Sequence, residues 1–256
     1  MSNNYGPKII TDGLFTSIDF ASPKCMTFRT NDTQVPNATT IYDRSGNGND
    51  YIIYSSATAK FLSEKGGVFD YGTSGTTTNE IKPTSATLNN LPNVSNHTLE
   101  FWLNFHSVQS GTLGVNAIYE GSGSNQNLLM YRNATSFAFE YYSGAATGEQ
   151  RIFTGTTLAS VGINLGEYFH LVITATNGDY ALLYVNGGFI TTTNSTATNW
   201  GLAGTAQTNL GQEYDSTSKD STQQFLGKMG IFRIYNRVLS ATEIKRNYEA
   251  VKYRFI

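Results

Sequence analysis

The stretch Phe225-Leu226-Gly227-Lys228-Met229-Gly230-Ile231-Phe232-Arg233-Ile234-Tyr235-Asn236-Arg237-Val238-Leu239-Ser240-Ala241-Thr242-Glu243-Ile244 changes character partway along. Its first half, with Gln224, is rich in β-branched and aromatic residues and predicts a strand over Gln224–Tyr235. Its second half opens a helix. Ser240 is a good N-cap, Glu243 three residues on completes a capping box, and Leu239 with Ile244 forms a hydrophobic staple. Ile244, Tyr248 and Val251 then repeat at i, i+4 and i+7, one apolar stripe that has to lie against a sheet.

Upstream of this segment the same short β-type runs recur with turn residues between them. They are Leu14–Phe20, Tyr51–Tyr54, Val68–Tyr71, Thr98–His106, Ala117–Tyr119, Leu128–Arg132 and Phe137–Tyr142. Arg151–Thr154, Tyr168–Thr176, Tyr180–Val185, Gly188–Thr192 and Gln207–Leu210 follow. Many short strands without helices between them predict a sandwich of antiparallel sheets. Asn177-Gly178 and Asn186-Gly187 can both supply hairpin turns, which folds 168–193 into a three-stranded meander. In Leu99–His106, period-two alternation sends Leu99, Phe101, Leu103 and Phe105 to the core. Glu100, Trp102, Asn104 and His106 share the opposite face, which is either covered or open as a polar-aromatic platform.

Composition agrees. Of 256 residues, 25 are glycine, 24 asparagine and 33 threonine, all poor helix formers, while aromatics at 13% suffice for a core. The formal charge of −2 provides no field for nucleic acid or for an anionic membrane. Residues 219–256 nevertheless carry eight basic against three acidic side chains: either a solvated helix with its flanks, or a docking surface for an acidic partner. The single Cys25 excludes an intrachain disulfide and a cysteine zinc site. Met1–Ile10 does not read as a secretory leader, and no run of 18 apolar residues would insert into a membrane.

The closing stretch, Phe225 to Ile244, resembles the last strand and helix of concanavalin A-like, laminin G-like domains. Three weaker matches follow the family's order: Tyr42-Asp43-Arg44-Ser45-Gly46-Asn47-Gly48-Asn49, Phe169-His170-Leu171-Val172-Ile173-Thr174, and Leu183-Tyr184-Val185-Asn186-Gly187. Phe169 stands where the family usually has tryptophan. The likeness covers about residues 12–256 and leaves 1–11 as an N-terminal arm of a single domain spanning 1–256. The Asp43 turn following Ala21-Ser22-Pro23-Lys24 is similar to the layout in tailed-phage virion proteins. The resemblance implies an all-β fold, a concanavalin A-like jelly-roll sandwich of two antiparallel sheets with one short C-terminal helix, used for adhesion or assembly.

Relatives on this fold include glycoside hydrolases, which need two carboxylates flanking the scissile bond. No E-x-D-x-x-E triplet occurs here, nor H-E-x-x-H, G-x-S-x-G or a phosphate-binding loop, so no enzyme is expected. Sugar binding needs an aromatic ring for C–H faces plus a few polar partners. Glu100, Trp102, Asn104 and His106 meet that on one strand face, and Trp200 and Tyr214 sit in stretches that read as exposed loops. For Trp102 the competing reading is burial under a covering loop, and for Trp200 a loop anchor. No cofactor is required. Laminin G-like relatives often bind calcium at the sandwich rim, and Asp43, Asn47 and Asp50, or Glu213, Asp215 and Asp220, are the oxygen donors available for Ca2+.

The expectation is therefore a non-enzymatic virion surface protein, a capsid decoration or a tail or fibre component. It would contact other virion proteins, form a homo-oligomer and touch host glycans. A free extracellular lectin and an unusual glycosidase, with acids brought together from different strands, are the alternatives.

Overall fold

The computed structural model describes residues 7–56, 58–73, 79–84, 96–107, 115–120, 129–132, 138–142, 150–153, 156–197, 200, 209–215 and 218–256. In chain order the strands are β1 (Leu14–Asp19), β2 (Thr33–Gln34), β3 (Thr40–Ile41), β4 (Tyr51–Ser56), β5 (Lys60–Leu62), β6 (Val68–Asp70), β7 (Asn79–Pro83), β8 (His97–Phe105), β9 (Val115–Glu120) and β10 (Leu129–Arg132). They continue as β11 (Ala138–Tyr142), β12 (Gln150–Phe153), β13 (Tyr168–Ala175), β14 (Leu182–Val185), β15 (Gly188–Thr192), β16 (Asn209–Leu210), β17 (Gln212–Asp215), β18 (Ser218–Gln224) and β19 (Gly227–Tyr235), before helix α1 (Ala241–Phe255).

Two large antiparallel sheets face each other. One runs β15-β14-β13-β8-β19-β6-β5-β2, with β1 also on β19, and the other β12-β11-β10-β9-β16-β7-β4-β3. A small hairpin, β17-β18, stands apart. Leu99, Phe101, Leu103 and Phe105 enter the main core between the sheets, as alternation predicts, and meet Tyr51, Ile53, Ile81, Tyr131 and Phe139 from the opposite sheet. The architecture is all-β with a single α-helix among the described residues.

The meander β13-β14-β15 forms as expected, although its two turns differ. Asn186 (φ 50°) and Gly187 (φ 75°) both take left-handed conformations, so they make the tight two-residue turn. At the other turn only Gly178 has positive φ, and the chain needs residues 176–181 to connect the strands. Gly187 is fixed twice over, because a Cβ there would lie 2.9 Å from the Cβ of Tyr248 on α1.

The outer face of the nine-stranded sheet carries α1. Its capping box is complete: the Ser240 hydroxyl accepts from the Glu243 N–H (3.3 Å), and the Glu243 carboxylate accepts from the Ser240 N–H (2.8 Å). Leu239 and Ile244 are buried together with Val172, Tyr184, Tyr235 and Ile10. Tyr248 and Val251 continue the stripe onto Trp102, Val68 and Phe255. Gly230 is the second glycine the packing demands, since a Cβ would sit 2.5 Å from the Phe255 ring. The arm before β1 runs alongside: Asn247 Oδ1 accepts from the Ile10 N–H (2.7 Å), and Arg246 Nε donates to the Lys8 carbonyl (2.8 Å).

Six strands were not expected: β2, β3, β5, β7, β17 and β18. They are very short or, like Asn79–Pro83 and Ser218–Gln224, too polar to stand out by hydrophobicity. The expected strand Gln224–Tyr235 is in fact broken, with Phe225 and Leu226 separating β18 from β19. Leu128, Phe137, Thr154 and the Gln207–Thr208 pair, at the ends of other expected strands, lie outside the described residues. Among the described residues, no helix is long and apolar enough to cross a membrane.

Candidate functional site

The face expected as a polar-aromatic platform is closed by α1. Trp102 is 0% exposed, stacked on Phe255 (ring centroids 4.5 Å, 14°) and on Tyr248 (5.8 Å, 5°). Glu100 beside it is also fully buried. Its Oε1 accepts from Arg233 Nη1 (2.7 Å) and meets His170 Nε2 (3.1 Å), while Oε2 accepts from Asn247 Nδ2 (2.8 Å). Burial alone would raise this carboxyl, but Arg233, His170 and Asn247 together outweigh it and hold it down at about 2. Asn104 is buried and donates to the Gly166 carbonyl (2.6 Å). Glu100 and Trp102 are therefore corrected from ligand candidates to the seat of the helix, which covers them where a loop was the competing expectation, and Asn104 is corrected to a buried tie to the loop before β13.

Trp200 is corrected in the same way. It is fully buried, stacks on Tyr141 (5.5 Å, 4°) and donates its indole N–H to the Asp179 carbonyl (2.8 Å), so it anchors a loop. Tyr214 lies on β17, not in a loop, and its side chain falls outside the described residues.

The Asp43 turn is stapled by its own hydrogen bonds. Asp43 Oδ1 accepts from the N–H groups of Ser17 (2.8 Å) and Ser45 (2.9 Å), and Oδ2 accepts from Asn49 N–H (3.1 Å) and the Ser45 hydroxyl. Asp50 Oδ1 accepts from the Asp43 N–H (2.8 Å), and Asn47 Nδ2 donates to the carbonyls of Leu14 and Phe15 (both 3.0 Å). Together these bonds tie the turn to β1. Glu213 and Asp215 on β17 and Asp220 on β18 belong to a hairpin instead of the expected loop, and their side chains lie outside the described residues. Among the described residues no three His, Cys, Asp or Glu converge as metal ligands.

Most of the basic C-terminal segment is paired within the molecule. Lys228 pairs with Glu64 (2.8 Å), Arg233 with Glu100, Arg237 with Glu243 (2.6 Å) and Asp12 (2.9 Å), and Arg254 with Asp19 (2.6 Å). Lys245 and Lys252 share Glu249. Six of the eight cations are thus paired with acids within the molecule, while Arg246 donates to the Lys8 carbonyl and the Lys219 side chain lies outside the described residues.

Two surfaces among the described residues combine open access with grouped polar side chains. On the outer face of the eight-stranded sheet, Tyr54 is 56% exposed. Neighbouring Ile53 and Ile81 point into the core, so alternation turns Tyr54, Glu80 and Lys82 outward together. Lys82 Nζ lies 3.9 Å from the centre of the Tyr54 ring and 2.6 Å from the buried Glu80 carboxylate. On the other sheet, a 340 Å³ cleft is lined by Asp32, Thr58, Lys60, Leu62, Asp70, Gly72 and Thr73. His106, the last of the four expected face residues, is half-buried behind it, with Nε2 2.8 Å from Asp70.

On the Tyr54 face the two buried acids stand too far apart for a glycosidase pair. Glu80 and Glu140 share the outer face of the eight-stranded sheet, but β10, β9 and β16 separate their strands. Four strand spacings put them about 19 Å apart, against at most about 9.5 Å for a glycosidase pair. Tyr54, Glu80 and Lys82 were legible only as alternation in Tyr51–Tyr54 and in Asn79-Glu80-Ile81-Lys82-Pro83, a pattern the short, charged β7 made easy to miss.

Comparison with known proteins places this architecture. The family model described as the concanavalin A-like lectin/glucanases superfamily matches residues 74–245. No curated protein matches the chain. Among solved structures, the chain is similar to the binding domain of botulinum neurotoxin DC, in complex with rat synaptotagmin II, at 14% identity and a TM-score of 0.66, over 95% of this chain and 53% of that one. A botulinum neurotoxin type C structure, whose title makes cell entry dependent on interaction with two ganglioside molecules, matches at 14% and 0.62, over 94% and 52%. Domain 4 of AbnA, a GH43 extracellular arabinanase from Geobacillus stearothermophilus, in complex with arabinotriose, matches at 14% and 0.59, over 92% and 98%. The chain thus spans about half the length of the toxin structures and nearly all of the arabinanase domain. With a family model spanning two thirds of its residues and two facing antiparallel sheets of the same kind, this chain belongs to the concanavalin A-like lectin/glucanases superfamily.

Proposed function

We propose that this chain is a non-catalytic saccharide-recognition module, residues 1–256 acting as one unit displayed in multiple copies on a virion surface. The observation that carries the binding role is the Tyr54 surface: an exposed ring for sugar C–H faces, with the Lys82 ammonium, steadied from below by the buried Glu80 carboxylate, beside it for hydroxyls. The 19 Å separation of the two buried acids on that face supports recognition over hydrolysis. Saccharide ligands of structural relatives, arabinotriose and gangliosides, are in keeping with it. The virion location is supported by the phage-like layout of Ala21–Lys24 and the Asp43 turn.

A glycan array on purified protein, run with calcium and with chelator, tests the binding role. Selective binding in both conditions, lowered at least about tenfold by Tyr54→Ala, is the expected result. A blank array would sink the reading, and binding unchanged in Tyr54→Ala would move the site elsewhere. Light scattering tests the homo-oligomer, and antibody labelling of purified particles tests the location.

A further inference from the structure

Asp32, Lys60 and Asp70 meet at the cleft on the outer face of the nine-stranded sheet, opposite the Tyr54 surface. Lys60 Nζ donates to Asp32 Oδ1 (2.9 Å), and Lys60 stands directly across the β5–β6 pair from Asp70. Asp70 is held rigidly: its Oδ1 accepts from the Gly72 N–H (2.8 Å) and meets His106 Nε2 (2.8 Å). Thr58 and Thr73 add hydroxyls, and the half-buried Leu62 adds an apolar flank.

The chemistry of this lining selects its ligand. An ammonium already bonded to one carboxylate and set against another repels a metal ion and would have to be displaced by it. Two carboxylates repel an anion. A carboxylate and an ammonium in mutual contact do offer one acceptor and one donor side by side, the pair that neighbouring hydroxyls of a sugar ring engage together. We propose that the cleft is a second saccharide site, for a neutral pyranose presenting vicinal hydroxyls, so that the molecule binds glycans on both faces of its sandwich. Two weak sites on one body would raise the avidity for a glycan-coated surface without any new contact.

The test is a ¹H–¹⁵N correlation titration of the full chain with the methyl glycosides of glucose, galactose, mannose and N-acetylneuraminic acid. The Gly72 and Thr73 amides report the cleft, and the Ile53 and Lys82 amides report the Tyr54 surface. The expected result is saturable shifts of Gly72 and Thr73 with a neutral glycoside. These persist in Tyr54→Ala and weaken about tenfold in affinity in Asp32→Ala and Lys60→Ala. Both substituted side chains are exposed, at 68% and 45%, so the variants keep the fold. Silence of the cleft amides with every neutral glycoside overturns the proposal, as does a response to N-acetylneuraminate alone. Loss of the cleft shifts in Tyr54→Ala also overturns it, since there would then be one site. Cleft shifts with silent Ile53 and Lys82 amides would support this site and count against the Tyr54 reading, so the two fail separately.

Discussion

Trp102 with Glu100 and Arg233, and Tyr54 with Glu80 and Lys82, bring together the same kinds of side chain: an aromatic ring, a carboxylate and a cation. On the nine-stranded sheet all three lie beneath α1, at 0%, 0% and 3% exposure, and the Glu100 carboxylate is taken up by Arg233, His170 and Asn247. On the eight-stranded sheet the carboxylate is equally buried, but the ring is 56% exposed and the ammonium lies over it. The first set holds a helix down. The second leaves its ring at the surface. A residue inventory suited to sugar binding is therefore not a site until it is known what covers it.

That contrast can be broken experimentally. If the covered set is structural, Glu100→Ala strands Arg233 as a buried, uncompensated charge and costs about 3–5 kcal/mol, read as a lower urea midpoint. A variant losing less than about 1 kcal/mol would mean that α1 leaves its seat easily, and would undo the contrast.

Acid attacks the same cluster. Glu100 is held at about 2, well below its usual 4.5. Folding stability from this group is thus complete above pH 4.5 and drains away as pH falls towards 2, where the folded carboxylate finally takes its proton. Glu243, held at about 2 chiefly by its hydrogen bonds from Arg237, loses its contribution over the same window. Urea midpoints that stay flat between pH 5 and 2 would contradict this assignment.

A smaller effect is expected at the helix start. Ser240→Ala removes the cap and should cost about 1 kcal/mol, lowering the melting temperature with saccharide binding unchanged. The smallest change in stability belongs to the open surface. Tyr54→Ala should stay within about 0.5 kcal/mol of the parent protein while losing binding on the glycan array. A variant that lost stability instead would show that Tyr54 also supports the fold.

Much of the fold was legible in the chain. Alternation in Leu99–Phe105, the Asn186-Gly187 turn and the Ser240–Glu243 capping box each depend on neighbours a few residues away, so local pattern suffices to read them. Strands β5 and β7 escaped because each exists only through its partners: Lys60–Leu62 pairs with β2 and β6, and Asn79–Pro83 with β4 and β16. The candidate sites were less legible for the same reason. Asp32 and Lys60 lie 28 residues apart, and Asp70 and His106 lie 36 apart; no short motif links either pair.

The sequence by itself determined the class of this protein: strands of period two, their tight turns, and an amphipathic helix with its own cap. Such features follow from backbone preference and from which side chains water rejects, and both act locally. Only the tertiary structure decided which face of β8 the helix would cover. Burial there depends on α1 packing across β8, β13 and β19, elements separated by up to about 150 residues of chain. That packing turned Trp102 into core, set Arg233 and Arg254 against acids of the sheet, and left Tyr54 and the Asp70 cleft facing solvent.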